Sequence, residues 1–115
     1  MLRRIDEIVK SYGLGVANVF HAGDGNLHPL VMFNTNVPGE MEKAEKAGED
    51  ILKLCVEVGG CLTGEHGVGI EKRDLMTYQF NAVDLEQQMR VRGVFDPRWL
   101  LNPAKVFPLE GRFAA

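Results

Sequence analysis

Cysteine is scarce in this chain of 115 residues: it holds two, Cys55 and Cys61, and they lack the C-x-x-C spacing of a redox or zinc pair. They read as unbridged thiols rather than a staple. An excess of positive charge is missing as well. Thirteen Lys and Arg stand against 16 Asp and Glu, a net charge of -3, so there is no basic stripe to meet a phosphate backbone, which argues against nucleic acid as a partner. No apolar run approaches the ~20 residues that cross a bilayer. The start, Met1-Leu2-Arg3-Arg4-Ile5-Asp6-Glu7, turns charged too soon for the apolar core of a secretory signal. The expectation is a soluble, cytoplasmic protein. Repeats, low-complexity tracts and an interdomain linker are absent too. The glycines from Gly64 to Gly69 lack the strand-G-x-G-x-x-G-helix context of a dinucleotide site, and the chain is too short for such a domain beside its own.

What is present is one domain's worth of chain, 45% hydrophobic and so able to bury a core. Leu2, Ile5, Ile8, Val9 and Tyr12 recur at helical spacing before Gly13 and Gly15, predicting an amphipathic helix that stops near Tyr12. The chain begins inside an element, as a fragment would. Val16 to His21 and Leu27 to Phe33 are rich in β-formers and apolar on both faces, predicting two antiparallel strands covered by other elements. Met41, Ala44, Gly48, Ile51, Cys55 and Val58 step by threes and fours between Pro38-Gly39 and Gly59-Gly60, predicting a long helix with one buried stripe. A short strand is expected over Cys61 to Thr63, then a loop with Glu65 and His66, then a helical stretch from Ile70 to Phe80. Asn81 with Asp84 reads as a helix cap, and Asp96-Pro97 as a second cap before a single turn ended by Asn102-Pro103. The fold class is α+β, an antiparallel sheet with helices packed on it.

The chemistry concentrates in two short stretches. In His21-Ala22-Gly23-Asp24-Gly25-Asn26-Leu27-His28, a glycine turn would fold the chain back. If His21 and His28 are opposed across the hairpin, their Cβ atoms lie ~4.5–5.5 Å apart on one face and two ring nitrogens can converge on one ion. In Gly64-Glu65-His66-Gly67-Val68-Gly69, Glu65 would add an anionic oxygen. Two histidines and one carboxylate suit zinc, manganese or iron and leave positions open for water or substrate. His66 is then a spare base. A 2-hydroxy acid chelated through its hydroxyl and carboxylate would have its hydroxyl acidified, and a neutral His could take that proton. Each residue also has a plain structural role open to it. The histidines can bond to backbone, Glu65 can favour a helix N-terminus, Asp24 is ordinary turn chemistry, and Trp99, Phe95 and Leu100 can anchor the tail.

His21 to Pro29, Gly64 to Lys72, and Phe95-Asp96-Pro97 with Asn102-Pro103-Ala104-Lys105-Val106-Phe107-Pro108 occur in an order that resembles the C-terminal part of FAD-linked oxidases of the vanillyl-alcohol oxidase class. Within it the chain is most similar to the glycolate oxidase D subunit and D-2-hydroxyacid dehydrogenase family. The resemblance implies a partial ferredoxin-like cap domain over 1–93, which binds substrate, and a helical C-terminal tail over 94–115 that returns towards a flavin domain held elsewhere. It implies that His21, His28 and Glu65 are metal ligands, His66 the base that deprotonates the substrate hydroxyl, and Asn102 and Lys105 contacts on the flavin side. FAD and a divalent metal are the implied cofactors. A small 2-hydroxy acid, the FAD-binding domain or other oxidase subunits, and self-association through exposed apolar surface are the implied partnerships. Leu30 stands where some 2-hydroxyglutarate-oxidising members have Asn, which suits a smaller substrate, and Ala104 replaces a common Gly. Alone, the chain is expected not to turn over. A non-catalytic metal-binding or interaction module is the rival reading; a metallohydrolase is weaker, because one small domain offers little cleft.

Overall fold

The computed structural model describes residues 1–21 and 23–109, and among them it is α+β: a two-stranded antiparallel sheet with four helices. The chain forms two compact units, Met1–Gly59 and the remainder from Gly60.

In the first unit, α1 (Leu2–Ser11) buries Ile5 and Val9. Its end is set by Gly13, whose φ of 72° is open to a residue without Cβ. Gly13 donates to the Lys10 carbonyl at 2.9 Å and Leu14 to that of Val9 at 3.2 Å. This pair of bonds satisfies orphan carbonyls and folds Leu14 back over Val9. Tyr12 donates from its hydroxyl to Asp50 at 2.5 Å, and this bond holds its phenol above the ordinary range. Strands β1 (Gly15–His21) and β2 (Asn26–Met32) pair with Val16 opposite Val31 and Phe20 opposite Leu27. Helix α2 (Glu40–Glu57) buries Ala44, Ala47, Ile51 and Leu54 along one stripe, with Glu40 and Glu42 at its N-terminal dipole. Ile5, Val9, Leu14, Ala44 and Ile51 form the core, and Val16, Leu27 and Val31 pack against it from one sheet face. The strands were expected to be covered on both faces. On the other face, however, Val19, Leu30 and Met32 are each more than half exposed.

In the second unit, a 3-10 turn (Arg73–Leu75) leads into α3 (Met76–Gln79), and α4 (Ala82–Phe95) opens with the expected capping box between Asn81 and Asp84. The expected strand over Cys61 to Thr63 is not formed. The backbone of Leu62 bonds to side chains instead, its N–H to Gln79 and its carbonyl to Lys72. The Ile70 to Phe80 helix is broken into two short turns, preceded by Gly67 and Gly69 at positive φ. After Asp96 the tail runs in turns rather than helix as far as Leu109, and 110–115, the end of the expected tail, lie outside the described residues. Neither cysteine is in a disulfide. No helix among the described residues is long and apolar enough to cross a membrane.

Candidate metal centre

The two histidines of the first motif meet, although not by direct opposition. The register sets His21 against Asn26 and Val19 against His28. The loop is thus shorter than direct pairing of the histidines would require, and they become diagonal neighbours. Side chains two apart on a strand share a face, so both imidazoles project from the face that carries Val19, Leu30 and Met32, away from the core. Diagonal neighbours remain within reach of ring side chains. The ring centroids stand 5.3 Å apart with planes at 78°. The loop closes by donation from the Asp24 N–H to the His21 carbonyl at 3.2 Å, and Gly23 and Gly25 take φ of 88° and 70°. Asp24 thus has a turn role in its backbone.

Glu65 and His66 lie in the second unit, exposed in a loop. Thr63 braces this loop by accepting the Gly67 N–H on its hydroxyl at 2.8 Å, where Gly67 has a φ of 86°. Lys72 donates back to the carbonyl of Val68. The loop therefore presents two chemically active side chains on a backbone braced at Gly67 and Val68.

Asn102 and Lys105 are exposed on the tail. The residues that shape this segment escaped the sequence reading. Asp96, expected as a helix cap, accepts the N–H groups of Leu100 and Leu101 at 3.0 Å each. Those two backbone bonds, with the Arg92 guanidinium beside them, hold its carboxyl below the usual carboxylate range. Arg92 also donates to the Leu101 carbonyl and lies 4.2 Å from the centre of the Trp99 ring. Arg73 reaches the Ala104 carbonyl. Of the expected anchors Trp99 packs, on Phe107 at 5.8 Å, whereas Phe95 and Leu100 are exposed and anchor nothing. The available signal for Arg92 was its i, i+4 spacing to Asp96 in the last turn of a helix; nothing local marked Arg73.

Residues 1–106 match the family described as FAD linked oxidases, C-terminal domain. Over 114 residues, 99% of this chain and 23% of the relative, the chain is 51% identical to glycolate oxidase subunit GlcD of Escherichia coli (strain K12). It is 36% identical over 112 residues, 97% of this chain and 24% of the relative, to the protein of that name in Bacillus subtilis (strain 168). To the mitochondrial D-lactate dehydrogenase [cytochrome] of Kluyveromyces lactis it is 35% identical over 104 residues, 90% of this chain and 18% of the relative. The chain thus spans about a quarter or less of these relatives' length. With three motifs in order and a match over nearly all its residues, the chain belongs to the family of C-terminal domains of FAD-linked oxidases.

Proposed function

We propose that this chain is the substrate- and metal-binding C-terminal segment of a flavin-dependent 2-hydroxyacid oxidoreductase of the glycolate or D-lactate type. The observation that carries this reading is the family match over residues 1–106, and the names of the relatives supply the substrate class. In this reading His21, His28 and Glu65 hold a divalent ion, zinc, manganese or iron, and His66 is the base. The donor chemistry fits, since imidazole and carboxylate together suit such ions. Two imidazoles that each bind one ion through a single nitrogen at ~2.0–2.1 Å set their ring centres about 5 Å apart, close to the 5.3 Å of His21 and His28.

When bound, the metal acidifies the substrate hydroxyl and FAD, held by another part of the oxidase, accepts the hydride. The chain's own contributions are narrower. The histidine pair fixes the side of the sheet from which substrate is met. His66 takes the hydroxyl proton on a ring nitrogen. Leu30, on the same sheet face as His28, lines the substrate's path with an apolar side chain, and Asn102 and Lys105 reach towards the flavin. The segment by itself performs no turnover. We place the protein in the cytoplasm, which the absence of a disulfide suits. For the isolated chain we propose self-association, because Val94 and Phe95 at the end of α4 are 77% and 83% exposed; a clean monomer on size-exclusion chromatography would refute it.

The test is elemental analysis of the purified chain after loading with zinc or manganese. Near-stoichiometric metal is expected in the wild type, with loss in the His21→Ala/His28→Ala double variant and weakening in Glu65→Gln. Equal metal in all three would overturn the ligand assignment, and metal binding without any response to a 2-hydroxy acid would favour a non-catalytic metal-binding module.

A further inference from the structure

We infer that Arg73 and Arg92 are positioning residues that hold the segment from Trp99 to Val106 in a left-handed course and so present Asn102 and Lys105, an inference that rests on the flavin-facing reading of those two side chains. Four residues with a Cβ take positive φ in this short stretch: Trp99 at 55°, Asn102 at 44°, Ala104 at 63° and Val106 at 74°. Asn visits this region with some ease, whereas a β-branched residue such as Val106 is an outlier there. Such a run persists only where the surroundings over-determine it, and strain of this kind gathers at functional sites.

Each strained residue has a restraint beside it. Trp99 lies under the Arg92 guanidinium. Before Asn102, the Leu101 N–H is taken by Asp96 and the Leu101 carbonyl by Arg92. The Ala104 carbonyl is taken by Arg73. Val106 donates to the Gly69 carbonyl at 2.8 Å and sits at the centre of a three-residue turn closed by Phe107 N–H on the Lys105 carbonyl at 2.9 Å, with the φ of the rare form of that turn. Gly69 ends the loop that carries Glu65 and His66, so one hydrogen bond ties the tail to that loop within the second unit. Arg73 spends a charged group on a backbone carbonyl, and its Nε is buried without a hydrogen bond among the described residues. Leaving one guanidinium nitrogen of this part-buried side chain without a partner carries a cost that a solvated Arg would avoid, as expected if the course of the tail is what matters. Asn102 and Lys105 are exposed polar side chains on this held backbone, alongside the apolar Leu100, Leu101 and Pro103.

The first arm of the test is amide hydrogen exchange on the whole chain, wild type against Arg92→Lys and Arg73→Gln. Lys keeps the charge but loses the planar fork and the stacking surface. At least tenfold faster exchange is expected at Leu100 and Leu101 in Arg92→Lys and at Val106 in Arg73→Gln, with Leu85 in α4 unchanged as the sign that the helix stands. Unchanged exchange along the tail overturns the inference. In the second arm the chain replaces the matching segment of the Escherichia coli relative, and flavin absorption and midpoint potential are read. Both Arg variants are expected to move the flavin signature in the direction of Asn102→Ala and Lys105→Ala. If the alanine variants move it and the Arg variants do not, the restraint is structural only and this inference falls while the proposed function stands. A signature that none of the four moves, or a wild-type chimera that takes up no FAD, overturns the flavin-facing reading itself and this inference with it.

Discussion

The hairpin of the first unit and the tail of the second both reverse the chain through left-handed backbone, and they do so by opposite means. Between β1 and β2 the positive φ angles fall on Gly23 and Gly25, where an added Cβ would meet nothing within 4 Å. The conformation there is nearly free, and no distant residue has to enforce it. In the tail the positive φ angles fall on Trp99, Asn102, Ala104 and Val106, and Arg73, Arg92, Asp96 and Gly69 supply the enforcement. A turn made by glycine is encoded where it occurs. A turn made by restraint is encoded elsewhere in the chain, and it can be loosened without touching the turn itself.

The largest effect separates the two regions by what they lean on. The sheet face opposite the histidines rests on Ile5, which is fully buried in the core with Val9 and Ile51. Ile5→Ala should cost about 2–5 kcal/mol in cavity and lost transfer energy, lowering the urea midpoint of the first unit and broadening the ring resonances of His21 and His28. A midpoint within error of wild type would mean that the hairpin does not depend on this core. The tail is held at Leu100 and Leu101 by charged side chains, the Asp96 carboxylate and the Arg92 guanidinium. Asp96 has a lowered carboxyl pKa in the folded chain, so its contribution is complete above its ordinary value of 3.8 and is lost as pH falls through the lower, folded value. Acid should therefore speed exchange at Leu100 and Leu101 only below that ordinary value, and Asp96→Asn should give the fast exchange already at neutral pH. A wild-type tail that already loosens between pH 7 and pH 5, or that keeps its protection well below 3.8, would break the assignment.

The same contrast explains what was legible. Period 3.6 marked α1 and α2, alternation and glycine marked the hairpin, and Asn81 with Asp84 marked the start of α4, because each is a local pattern that local physics obeys. The His21 to His28 register was off by one diagonal, since loop length decides register and turn residues alone do not fix it. The strand over Cys61 to Thr63 failed because β-propensity says nothing about a partner, and Leu62 found side-chain partners instead. Asp96 was visible as a cap residue, but the use of its carboxylate four and five residues onward was not, and Arg73 is 31 residues from the carbonyl it holds. Of the candidate site, the histidine pair and the Glu65-His66 loop could be read from the chain; the machinery that shapes the tail could not.

The smallest effects come from exchanging the two solutions. Gly23→Ala places a Cβ on a left-handed residue with open space around it, so its cost is conformational only, about 1–2 kcal/mol, seen as a lower urea midpoint. Ala104→Gly makes the opposite exchange in the tail. It removes a similar left-handed penalty at φ 63° and adds the greater freedom of glycine in the unfolded chain, about 0.5–1 kcal/mol. The carbonyl that Arg73 holds is untouched by the change. The net is a stabilisation of about 0.5–1 kcal/mol, and it should partly restore slow exchange at Val106 when combined with Arg73→Gln. If Ala104→Gly instead destabilises the tail, the methyl group contributes packing that outweighs its strain, and the left-handed course at this position is held by contact rather than by the arginine.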